Sequence, residues 1–138
     1  MVERIFDAKV ENLQDVLAFV DEQLEGRNCS IKIQMQIDIA IEELFVNVAQ
    51  YAYLEGSGRV KISLKWLEDP LRLSITFTDR GIPYDPLAKP DPDVTLPARD
   101  RQIGGLGIYM VKKSMDHMYY EYKDGKNHIS IIKKLRPA

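Results

Sequence analysis

Three short segments of this chain carry groups suited to handling charged oxygens. In Glu43-Leu44-Phe45-Val46-Asn47 a carboxylate and an amide stand four residues apart. On a helix turning about 100° per residue, with Leu44 at the centre of the apolar stripe, Asn47 and Glu43 fall to the same side while Glu42 points nearly opposite. Stacked at the edge of a buried face, such a pair could hold a hydrated cation and activate a nucleophile, because magnesium prefers oxygen ligands that it shares with phosphates. The plainer alternative is a hydrogen bond on a helix surface.

In Asp79-Arg80-Gly81-Ile82-Pro83-Tyr84-Asp85-Pro86 the alternation of Leu71, Leu73, Ile75 and Phe77 continues onto Asp79, which turns its carboxylate toward the apolar side. There it needs a donor. An Asx-turn with Gly81 would supply one. So would the exocyclic amino group of an adenine, for which an acceptor at the floor of an apolar pocket is selective because a missing partner is costly.

The third segment, Gly104-Gly105-Leu106-Gly107-Ile108-Tyr109-Met110-Val111, places glycines at the opening of a helix. Bare N–H groups and the helix dipole favour phosphate there, although tight packing alone also accounts for small residues. No Gly-Lys-Ser/Thr follows, so this is not a P-loop, and the third glycine and preceding strand of a dinucleotide fingerprint are missing.

These groups must be positioned by regular elements. Leu13, Val16, Leu17 and Val20 recur at helical spacing, with Gly26 as a stop. Ser30 caps a long second helix to about Tyr53, whose stripe is Ile33, Ile37, Ile41, Leu44, Val48 and Tyr51. Val60, Ile62, Leu64 and Trp66 alternate with polar residues, as do Leu71 to Phe77, and together they predict a hairpin with one buried face. From Ile82 to Ile103 five prolines exclude a regular helix or central strand, and a loop of that length in a compact domain usually has a purpose. A third helix carries Ile108, Val111 and Met115, and a second hairpin turns at Asp124-Gly125 between Met118–Lys123 and Ile129–Leu135. Paired strands with separate helices predict an α+β two-layer sandwich, helices on one face of a mixed, mostly antiparallel sheet.

The chain's 138 residues suit a single domain, and 45% hydrophobic content is enough for a core. A formal net charge of −2 argues against general binding to nucleic acid or an anionic membrane. The single cysteine, Cys29, excludes an internal disulfide, and with only His117 and His128 beside it little remains for a thiolate or histidine metal site. The start lacks a signal peptide's basic and apolar regions, so a reducing cytoplasm is the expectation.

The order of the three segments, joined by the proline-rich stretch, resembles the GHKL ATPase superfamily with its Bergerat ATP-binding fold, and within it the anti-sigma-factor serine/threonine protein kinases. Glu43 to Asn47 is similar to the N box, Asp79 to Pro83 to the first glycine box, Gly104 to Gly107 to the second, and 82–103 to the ATP lid. The resemblance implies that ATP and Mg2+ are bound, with Asn47 coordinating the metal, Asp79 receiving the adenine amino group, and Gly81 and Pro83 shaping the turn under the base. Gly104, Gly105, Leu106 and Gly107 would meet the phosphates, and Glu43 would act as general base toward an attacking hydroxyl. The implied partners are a STAS-domain antagonist as substrate and a sigma factor or similar client, with a homodimer possible; a nucleotide-dependent switch without phosphoryl transfer is the alternative.

The chain departs from the family pattern at several places. Tyr51 stands where many members carry His, Arg80 where a neutral or acidic residue is common, and Asn127-His128 where a Thr often closes the adenine pocket. Asn127 or His128 could supply that hydrogen bond, but a turn position and a solvent-facing strand residue are the preferred readings. Tyr119, Tyr120 and Tyr122 are read as strand packing.

Overall fold

The computed structural model describes residues 1–53, 58–88 and 106–135. Along the chain run β1 (Val2–Asp7), α1 (Leu13–Leu24), α2 (Ile31–Asn47), β2 (Arg59–Leu67), β3 (Arg72–Asp79), α3 (Leu106–Ser114), β4 (His117–Lys123) and β5 (Lys126–Lys134). Helix α1 stops just before Gly26, as its sequence expects. Ser30 caps α2, its hydroxyl accepting from the Ile33 amide at 3.2 Å, which satisfies one of the donors that a helix start leaves open.

The strands form one sheet in the order β1-β2-β3-β5-β4, antiparallel at every pairing. The chain therefore leaves β3 at one end of the sheet, passes through α3 and lays down β4 at the edge before β5 returns to pair with β3. One face of the sheet is packed. Val60, Ile62 and Leu64 of β2, Ile75 and Phe77 of β3 and Ile131 of β5 bury against Ile37, Ile41, Leu44 and Phe45 of α2, with Val16 and Val20 of α1 and Val111 of α3 completing the core. This is the α+β, helix-on-sheet arrangement that the periodicity predicts. At about 1.5–3 kcal/mol for each fully buried large aliphatic or aromatic side chain, this layer dominates the favourable side of folding.

One member of the predicted α2 stripe does not hold. After Asn47 the helix continues as a π turn over Val48–Ala52, and the wider turn rotates these side chains away from α-helical phase. Tyr51 is consequently 44% exposed, and Ala52, 6% exposed, takes the buried position. Ala52 then supports the segment after β3: its carbonyl accepts from the Ile82 amide at 2.9 Å. A Cβ on Gly81 would collide with that same carbonyl, so only glycine lets the strand end pass this close.

Candidate functional site

The last two turns of α2 and the facing ends of β3 and β5 enclose a pocket lined by Leu44, Asn47, Val48, Ala52, Asp79 and Ile129, with Tyr84, Pro86, Tyr120 and Asn127 around them. Asp79 is buried, as the strand alternation requires. Among the described residues its hydrogen bonds both fall on Oδ1, from the Gly81 amide at 2.8 Å and from Asn127 Nδ2 at 2.9 Å. The Asx-turn expected as the plain alternative is thus present, and it occupies one carboxylate oxygen only.

Asn127 corrects the sequence reading. It is no turn residue: it is 4% exposed and pairs directly across from Asp79 in the β3–β5 ladder. Its Nδ2 also donates to the carbonyls of Ile82 at 2.8 Å and Gly81 at 3.4 Å, while its Oδ1 accepts from the Tyr84 amide at 3.2 Å and from the Tyr120 hydroxyl. One buried amide ties the carboxylate to the chain segment just beyond it. The signal was present in the sequence, since Asn127 lies in phase with Ile129 and Ile131. His128, the next residue, takes the opposite face and meets Thr78 Oγ1 at 3.2 Å.

Tyr120 is likewise more than strand packing, because it lines the pocket. Burial pushes its hydroxyl up; a backbone hydrogen bond at Tyr84 acts the other way, and Asp85, Asp79 and Tyr122 add to the rise. It therefore stays a donor at neutral pH. Tyr84 stacks on Tyr51 with ring centres 5.8 Å apart, which gives the exposed Tyr51 a partner. The pocket's water-accessible volume among the described residues is about 30 Å³, room for a water or two.

Glu43 and Asn47 stand on the same side of α2, both half-buried, with Glu42 exposed. Burial raises the Glu43 carboxyl above the usual range, and Glu42 adds to the rise. The carboxylate lies against the first turn of α3, where a Cβ on Gly107 would run into it. Asn47 Nδ2 is buried without a hydrogen-bond partner among the described residues, and Asn47 lines the pocket. An orphaned amide is costly, and its natural complement is a ligand. Rotation of the amide would present Oδ1, the kind of atom that a hard cation takes. A single such oxygen is within what magnesium asks of a protein, since it usually takes one or two protein ligands and completes its shell with phosphates and water.

The structure thus brings Asn47, Asp79, Asn127 and Tyr120 to one pocket, with Glu43 and Gly107 in contact beside it. Gly81 sits under Ala52, whereas Pro83 is exposed and does not line the pocket. Gly104, Gly105 and residues 89–103 of the predicted lid lie outside the described residues, as does the side chain of Leu106.

Comparison with known proteins places this geometry. The sequence profile of the histidine kinase-like ATPase domain matches residues 6–133. The chain is similar to the serine/threonine-protein kinase BtrW of Bordetella bronchiseptica, 24% identical over 108 residues that cover 78% of this chain and 75% of that protein. It is also similar to the serine-protein kinase RsbW of Bacillus cereus, 33% identical over 91 residues, or 63% of this chain and 56% of that protein. The chain thus spans little more than half of RsbW. The crystal structure of the RsbU and RsbW domains of a Mycobacterium tuberculosis protein superposes with a TM-score of 0.67 at 16% identity, covering 100% of this chain and 34% of that one, a likeness of fold. Since the profile runs from β1 to β5 and takes in every described element of the pocket, the chain belongs to the histidine kinase-like ATPase domain family.

Proposed function

We propose that this chain is an ATP-dependent protein serine/threonine kinase of the anti-sigma-factor type, which phosphorylates a STAS-domain antagonist and sequesters a sigma factor or similar client. The observation that carries the reading is the line formed by Asp79, the unpartnered Asn47 amide and the Glu43 carboxylate. It runs from the pocket floor, along one side of α2, to the opening turn of α3. An adenine, a magnesium-bound phosphate chain and an acceptor hydroxyl are needed in that order.

Asp79 Oδ2 would accept from the adenine amino group, while Asn127 and the Gly81 amide hold Oδ1 and so fix the plane of the carboxylate. Asn47 would hold the magnesium, which when bound neutralises phosphate charge. The amides at the start of α3, from Gly104 to Gly107, would face the phosphates. Glu43, made more basic by burial, would take the proton of the attacking serine or threonine hydroxyl. Such transfer rests mainly on positioning and electrostatics, and a general base typically contributes about 10²–10⁴ in rate. The kinase names of the relatives support the same reading.

Glu43→Ala tests it. Titration with a fluorescent ATP analogue should give unchanged affinity, while transfer of labelled phosphate to a STAS-domain antagonist should fall by about 10²–10⁴. Undiminished transfer would remove Glu43 from the mechanism. A wild-type protein that binds Mg-ATP but labels no antagonist would instead be a nucleotide-dependent binding switch.

A further inference from the structure

The helix-free face of the sheet collects positive charge. Residues directly opposite one another in a ladder share a face. The registers Ile5↔Lys61↔Thr78↔His128 and Leu67↔Arg72↔Lys134 therefore run as rows on the side away from the core. The first row borders a cleft of about 470 Å³ lined by Arg59, Lys61, Thr78, Arg80 and Lys126, with Asp79 as its one acid and Ile5 and Tyr53 as its apolar part. Lys65, Arg72 and Lys134 carry the same sign toward the other end. The acids on this face are fewer: Glu3, Asp7 and Glu121. Among the described residues the one ion pair here is Lys61 with Glu3 at 3.9 Å, exposed on both sides, and such pairs contribute little. The chain as a whole is acidic by two charges, and α1 and α2 carry acids of their own, Asp15, Asp21, Glu22 and Glu42. The molecule is electrostatically two-sided.

We propose that this sheet face is a docking surface for an acidic segment of a partner protein, seated in the cleft between Lys61, Arg80 and Lys126. A second copy of the chain would set like charge against like across the same face, which is unfavourable. Nucleic acid fits less well, because the chain as a whole carries a formal net charge of −2 and would repel the rest of a long polyanion. Ile5, 57% exposed, and the Tyr53 ring offer a seat for an apolar side chain flanked by carboxylates. Asp79 borders both this cleft and the nucleotide pocket, but Lys61, Arg80 and Lys126, which carry the docking charge, line the cleft alone. The proposal does not rest on the kinase reading.

The test uses the whole chain, labelled with nitrogen-15, and a short peptide of alternating glutamate and leucine as the probe. Titration should move the amide signals of Lys61, Thr78, Arg80 and Lys126 saturably, and affinity should fall as salt is raised. The double variant Lys61→Glu/Lys126→Glu should melt like the parent, keep its response to Mg-ATP and bind the peptide about tenfold more weakly. Unperturbed signals on this face, equal affinity in the double variant, or tighter binding of an oligothymidylate of equal charge would each overturn the proposal. So would sedimentation showing that the wild-type chain pairs with itself through these residues.

Discussion

Asn127 determines what Asp79 can offer. A buried carboxylate with free rotation would spread its acceptor capacity over several orientations, but two donors on Oδ1 restrict it to one. Glu43 is constrained from the other side, by the absence of a side chain on Gly107. Gly107→Ala is therefore expected to separate stability from function. The new methyl group displaces only the end of a flexible side chain, and alanine favours a helix by up to about 1 kcal/mol over glycine, so the melting temperature should hold or rise. If Glu43 is the base proposed above, phosphoryl transfer should drop at least about tenfold, because its displacement loses the geometry of proton transfer. Calorimetry and a transfer assay on the same preparation check both halves, and parallel losses in the two would mean that the contact is merely structural.

At the level of elements, α1 and α2 meet through a pair of carboxyls. Asp38 is pushed up to about 7, first by burial, then by its hydrogen bond to Asp21 and by the charge of Asp21; each residue has one buried oxygen without a partner among the described residues. From the α1–α2 connection Cys29 faces the same charge, and burial and then Asp38 push its thiol up as well, as suits an unreactive thiol. The ordinary Asp value is about 3.9, so the folded state holds the Asp38 proton more tightly than the unfolded state does. This contribution to stability is complete below about pH 4 and is lost as pH rises through 7. Because the pair is partly exposed, screening limits the effect to about 1 kcal/mol, or roughly 3 °C in a domain of this size. Asp38→Asn keeps a donor toward Asp21 without the charge. Its melting temperature should exceed that of the parent at pH 8 by about that margin and by less at pH 5; a constant offset at both would exclude the shared proton.

At the scale of the whole molecule, nucleotide binding would be read in stability. Tyr84 borders the pocket, is held by Asn127 and stacks on Tyr51, so a nucleotide that displaces Tyr84 breaks both contacts. Binding must offset this cost, yet a ligand at about 100 times its Kd still adds about 2.7 kcal/mol to the folded state, roughly 8 °C in melting temperature. Mg-ATP should raise the melting temperature of the unaltered chain, and Asp79→Ala should abolish the rise. No rise in the unaltered chain would remove the nucleotide reading as a whole.

Local periodicity by itself determined the two helical stripes, both hairpins and the inward direction of Asp79, because alternation along a strand and recurrence along a helix depend only on near neighbours in the chain. It also placed Glu43 and Asn47 together on one side of α2. What the tertiary structure alone decided depends on register between distant segments. Asp79 faces Asn127 because β5 pairs with β3 in that register and no other. The carboxylate of Glu43 meets Gly107 because α3 packs on α2, and Ala52 replaces Tyr51 in the core because a π turn changes the phase after Asn47. The basic sheet face arises in the same way, from cations that are scattered along the sequence and gathered only when the strands are laid side by side.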